Sequence, residues 1–331
     1  MDTSGQPPTP TPCDSLPKLK LMFPQNDVLQ HPFGNTLRNY AFHGCPVDCG
    51  PNWSKKQIEQ AVQDGPNTSA RDPLAAKCCR EEALKKVDEG FCRIVNWDDL
   101  KNDIPPTLKI SPIAAIPHKS RNYRMILNLK YKLKIKGKQG RFPSVNDATD
   151  TDLAPQHSMY ELGNVIPRII WTLATAPDED IPFLMSKVDL KDGFWRMVVS
   201  EEDSYNFVYV LPKTSDSKPT QIVIPNSLQM GWVNSLGFFC AATKMARDVA
   251  DTSTKTNIKD KKQKYEEIMM NLPPSNFQWM DNTDKKSQHL MEVYVGNFIL
   301  LIQTKSLHVL HNKTQNLLHA IYSTFSKQKL N

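Results

Sequence analysis

At 331 residues the chain is long enough for about two domains, and a 39% hydrophobic content is enough for a sizeable core. No apolar run approaches the roughly 20 residues needed to cross a bilayer, so a membrane-spanning protein is not expected. The net charge of +6 hides a concentration: nine basic residues and no acidic one lie between His118 and Arg141, which leaves the rest of the chain near −3. A block of that kind calls for an anionic partner or a solvated surface.

The seven cysteines are odd in number and irregularly spaced, and the first dozen residues are polar and proline-rich. Both features predict an intracellular protein, cytoplasmic or nuclear, that is not secreted. Residues 1–35 read as a disordered, proline-rich leader. His43, Cys45 and Cys49 are zinc-type donors without a second ligand pair, so small buried cysteines are the competing reading. Ser54 caps a predicted helix over 55–63, and Pro73 opens another that stops at Gly90. Leu74, Cys78, Ala83, Leu84 and Val87 are available for the buried face of that second helix. Residues 36–107 thus form a predicted helical extension that matches no recognisable chemistry.

Two extended runs follow, 110–117 and 123–129, around a polar tip that holds His118 and Lys119; this is the pattern of a β-hairpin. Beyond it, Lys130, Lys132, Lys134, Lys136 and Lys138 alternate with Tyr131, Leu133 and Ile135 before Gly137. An extended chain would place those lysines on one face about 7 Å apart, a spacing suited to phosphates along a nucleic-acid strand. A solvated edge strand, protected from aggregation by its lysines, is the alternative.

Residues 141–151 read as a turn-rich connector. Met159, Leu162, Ile166, Ile169, Ile170 and Leu173 mark a helical face, with Pro167 kinking that helix or starting a second one. A short apolar strand then delivers Asp189 and turns. A carboxylate at a strand end either caps the turn or meets a cation. Strands near 205–211 and 221–224, a helix over 235–249, a polar insertion at about 251–288 with a short helix at 264–271, and a tight apolar hairpin around Tyr294 complete the pattern. A last helix carries His308, His311 and His319, which suit a helix surface better than a metal site.

A basic hairpin, a strand ending in Asp189, the turn Gln229-Met230-Gly231-Trp232 before a helix, and an apolar hairpin at Tyr294, in that order, resemble the fingers and palm of reverse transcriptases. The closest likeness is to the gypsy-class and related polymerases of eukaryotic LTR retroelements, over residues 108–326. The resemblance implies an α+β fold in which an antiparallel sheet packs on helices. It implies RNA-directed DNA polymerase chemistry, with two Mg²⁺ ions, an RNA template, an RNA/DNA duplex and deoxynucleotides as partners. Matched residue by residue, Asp189 is the first catalytic carboxylate, and the backbone carbonyl of Leu190 is a second metal ligand. Phe194 corresponds to the aromatic gate that crowds a ribose 2′-hydroxyl, Arg124 to the fingers arginine on the triphosphate with Lys119 as its helper, and Gln229, Met230 and Gly231 to the turn beneath the nucleotide.

The chain departs from the family pattern where the paired aspartates of the Tyr-x-Asp-Asp turn belong: it reads Tyr294-Val295-Gly296-Asn297. Asn128 stands where an aspartate is common, and the sequence stops at Asn331, soon after the last palm helix, with no thumb or RNase H segment. The expectation is a degenerate reverse transcriptase-like domain over 108–331 with its polymerase activity lost. A non-catalytic nucleic-acid-binding module and a decayed element copy without selected function are the alternatives.

Overall fold

The computed structural model describes residues 31–119, 122–176, 178–215, 217–253 and 289–325. Within them the longer helices are α1 (Gly34–His43), α2 (Lys55–Asp64), α3 (Pro73–Asp88), α4 (Val165–Ala174), α5 (Ser235–Ser253) and α6 (Leu307–Thr324). The strands are β1 (Cys92–Asn96), β2 (Ile113–Pro117), β3 (Tyr123–Leu127), β4 (Phe183–Asp189), β5 (Tyr209–Val210), β6 (Gln221–Pro225), β7 (His289–Tyr294) and β8 (Asn297–Gln303). They form three small antiparallel sheets, ordered β1-β6-β5, β2-β3 and β4-β8-β7, so the expected α+β class holds.

The helix boundaries follow local chemistry. Ser54 and Gln57 form a reciprocal capping box at the start of α2, and Asp72 accepts from the Leu74 and Ala75 amides before Pro73 opens α3. The buried face of α3 differs from expectation: Ala75, Ala76, Cys79, Ala83 and Lys86 face inward, while Leu74 and Leu84 are about half exposed. The helix lies against β1 and the β2-β3 hairpin, where the short alanine side chains allow close approach. The expected helical segment 36–107 also contains a strand. β1 pairs with β6 from Cys92↔Pro225 to Asn96↔Gln221, so this segment is built into a central sheet.

The β2-β3 hairpin has the expected register, from Ile113↔Leu127 to Pro117↔Tyr123. The lysine segment after it is not a sheet strand: residues 131–135 pair in no ladder, and a turn follows at Gly137. Its alternation persists all the same. Leu133 and Ile135 are buried with Ile58, Leu108 and Ile110, and Lys130, Lys132, Lys134, Lys136 and Lys138 point outward. Burial of the apolar side chains imposes the two-residue period without a partner strand.

Helices α5 and α6 pack on each other and reach β7 and β4 of the third sheet. Phe298, Leu300 and Ile302 of β8 are fully buried there, and Phe238, Phe239, Ala241, Ala242 and Met245 of α5 are buried in the same core. Tyr40 of α1 meets Phe238 edge-on at 5.3 Å. The leader boundary moves accordingly: Phe33 is 3% exposed, and His31 Nε2 lies 3.1 Å from Asp248 Oδ2, so residues 31–35 are packed. Residues 1–30 of the predicted leader, and 254–288 with the helix expected at 264–271, lie outside the described residues.

Helix α4 presents Ile166, Ile170 and Leu173 largely to solvent, against the expected inward stripe. What it buries is Val165 and Thr172, and Arg168 engages Glu292 of β7. Ion pairing orients this helix, and apolar periodicity does not.

Candidate active site

Strand β4 delivers Asp189 to the open end of the third sheet. The β4-β8 register sets Asp189 directly opposite Asn297, and Val188 opposite Phe298. The Leu190 amide donates to the Gly296 carbonyl at 2.9 Å, which ties the chain beyond Asp189 to the β7-β8 turn. Four residues singled out from sequence, Asp189, Leu190, Gly296 and Asn297, therefore meet at one place. Asp189 is exposed, and its carboxylate makes no hydrogen bond or ion pair among the described residues.

The turn itself carries strain. Tyr294 pairs with Asn297, which leaves Val295 and Gly296 as a two-residue hairpin loop. Val295 sits at φ +57°, while Gly296 is not in the positive-φ region. A turn of this kind wants glycine at its first central position, and here a β-branched residue holds it.

Beneath the site lies the Phe239 ring of α5. A Cβ placed on Gly193 would fall 2.3 Å from Phe239 Cζ, so no side chain fits there. A Cβ on Gly296 would stand 3.5 Å from the same ring and 3.7 Å from the Leu190 carbonyl oxygen, which is ordinary contact. Glycine is thus required at 193 and optional at 296. Phe194 packs on Phe239 with centroids 4.9 Å apart. Sequence reading missed Phe239, because nothing in the spacing of α5 marks a ring that faces two glycines of other elements.

Neither nearby acid completes the site. Asp192 pairs with Lys86 at 2.9 Å. Glu292 is buried, accepts from Arg168 Nε and Nη2, and lies 3.5 Å from Arg247 Nη1. Two Mg²⁺ ions need several anionic oxygens brought to one point in near-octahedral array. The oxygens gathered here are one carboxylate, one neutral amide and backbone carbonyls, and that set does not fit a two-ion centre. Among the described residues no three His, Cys, Asp or Glu side chains converge on a possible metal site. Cys45 and Cys49 are buried free thiols, and burial pushes the Cys49 pKa up to about 11, which disfavours the thiolate that zinc would need.

On the fingers side, Arg124 is exposed on β3 with Nη2 2.8 Å from Met230 Sδ, so two expected nucleotide-binding residues touch. Gly231 takes φ +98°, and Asn146 braces the turn by donating to the Gly231 carbonyl at 2.8 Å and accepting from the Val233 amide at 3.1 Å. Gln229 is buried and donates to the Ser227 carbonyl at 2.9 Å, so its side chain supports the turn from within. Lys119 is exposed near the hairpin tip. Of the lysine row, Lys132 pairs with Asp147 at 3.1 Å and Lys138 lies over the Phe142 ring at 5.6 Å. Comparison of the chain with protein-family models and with curated proteins finds no match.

Proposed function

We propose that this chain is a reverse transcriptase-like fingers and palm of the LTR-retroelement type, an RNA-directed DNA polymerase by descent that has lost nucleotidyl transfer. The observation that carries the reading is the pairing of Asp189 with Asn297 and the Leu190–Gly296 hydrogen bond. Strand end and hairpin turn meet where the resemblance needs three carboxylates, and one is present. In-line displacement on phosphorus rests on positioning and charge stabilisation, and loss of such stabilisation costs several kcal/mol, about a thousandfold or more in rate. Primer extension on an RNA template with Mg²⁺ or Mn²⁺ is expected to give no product from the natural chain. Gly296→Asp with Asn297→Asp is expected to restore measurable Mg²⁺ affinity. Robust extension by the natural chain overturns the loss of activity, and a double variant with no Mg²⁺ affinity by calorimetry overturns the assignment of the site.

Binding without catalysis is the second reading, favoured by Lys130, Lys134 and Lys136 facing solvent over buried Leu133 and Ile135. Affinity for an RNA/DNA duplex should then fall steeply with salt, with a slope that drops on Lys134→Glu with Lys136→Glu. A flat salt response rules this reading out.

A further inference from the structure

The turn between β4 and the core holds a feature that the polymerase resemblance does not supply. Asp192 sits at φ +56°, in the left-handed region that non-glycine residues enter at a cost. Its carboxylate Oδ1 is 2.9 Å from Lys86 Nζ, and Lys86 comes from α3, more than a hundred residues earlier in the chain. The ammonium group is itself 3.0 Å from Glu89 and lies over two aromatic rings, Phe91 at 5.0 Å and Trp195 at 5.4 Å. A lysine only 5% exposed is held by two carboxylates and two ring faces. The next cation in the cluster, Arg196, is buried and donates from Nε to the Lys191 carbonyl at 3.0 Å.

The turn is therefore gripped from two sides. Phe239 presses on Gly193 from below, and Lys86 holds Asp192 and Trp195 from α3. Phe194 lies between these fixed points, its ring 4.9 Å from Phe239. We propose that Lys86 is a positioning residue: by pinning Asp192 in the left-handed conformation it sets where the Phe194 ring stands, and so the room left for the sugar of a bound nucleotide. This rests on the reading of Phe194 as the ring that faces the sugar, and it gives the N-terminal extension a part in the site.

The test uses the full chain with 4-fluorophenylalanine at position 194. Fluorine NMR reports the ring's setting, and competition between a deoxynucleoside and a ribonucleoside triphosphate, with Mg²⁺ present, reports sugar discrimination. Lys86→Met, which keeps the stem and removes the charge, is expected to shift or broaden the fluorine resonance and move the affinity ratio toward unity. Lys86→Met with Asp192→Gly is expected to recover both readouts, because glycine adopts the left-handed conformation without an ion pair. A purely structural role predicts a lower melting temperature with the resonance and the ratio unchanged, and that result overturns the proposal. A resonance that moves in Lys86→Met and returns in the double variant, in a chain that binds neither nucleotide, leaves the clamp standing; it overturns the sugar-facing role together with the nucleotide reading. Failure of the double variant to recover the resonance overturns the route through Asp192.

Discussion

Two charged regions flank the third sheet, and they are built in opposite ways. Under β7, Glu161, Glu292 and Asp248 are interleaved with Arg168, Lys244 and Arg247, in contacts that include 2.7 Å for Lys244–Glu161 and 3.2 Å for Arg247–Glu161. Burial opposes charge on Arg247, yet Asp248, Glu161 and Glu292 more than offset it and raise its pKa. Burial likewise opposes charge on Asp248, and Arg247 with His31 still holds its pKa below the usual range. At the β7-β8 turn Asp189 stands exposed and, among the described residues, unpaired. Charges with partners hold the fold; a charge without one is available to a ligand and adds little to stability. The residues at 296 and 297 fall on the ligand side of that divide: glycine and asparagine add no negative charge beside Asp189, and the hairpin keeps its register.

The sharpest way to break this contrast is to remove one acid from each region. Glu292→Ala removes an acid shared by Arg168 and Arg247, each of which keeps Glu161, and is expected to cost up to about 3–5 kcal/mol, whereas Asp189→Asn should stay within about 0.5 kcal/mol. Urea unfolding of the two variants measures both, and equal losses would mean that Asp189 is a structural residue after all.

Acid should find the buried region first. Burial is the largest influence on His31 and lowers its pKa below 6.5, against the opposing pull of Asp248, with Lys244 and Arg247 lowering it further. A histidine with a depressed folded pKa contributes stability that is full above pH 6.5 and is lost as pH falls through the folded value. Asp248 behaves the same way below its ordinary 3.8. Melting temperature should therefore drop as pH falls below 6.5, at no more than about 1.4 kcal/mol per pH unit from this one group. His31→Gln should flatten that first step, and a slope that His31→Gln leaves unaltered would assign it to other groups.

The smallest expected effect lies in the open region. Val295→Gly relieves a β-branched residue at φ +57° and should stabilise by about 1 kcal/mol. Thermal melts would show a rise of a few degrees, and a fall would mean that Val295 packing outweighs its backbone strain.

How far the sequence could be read depends on which forces act locally. The Ser54 cap of α2 and the β2-β3 hairpin follow from capping chemistry and alternation, properties of neighbouring residues, whereas the approach of β4 to the last hairpin is an expectation from the resemblance alone. The inward face of α3 and the outward stripe of α4 do not, because partners distant in sequence decide them: close backbone approach selects the alanines, and Glu292 draws in Arg168. The lysine row shows the middle case, where alternation was legible and the absent ladder was not. At the site, residues named by motif came together, while Phe239 and Lys86, which shape it, arrive from remote helices without any local signature.

The tolerance of a side chain at Gly296 has a chemical corollary. The Cβ of an acidic residue introduced there would stand 3.7 Å from the Leu190 carbonyl oxygen, one residue from Asn297, which pairs with Asp189. A carboxylate at that point adds negative charge next to a carbonyl oxygen and close to Asp189, a tension that a divalent ion would relax and that glycine does not create.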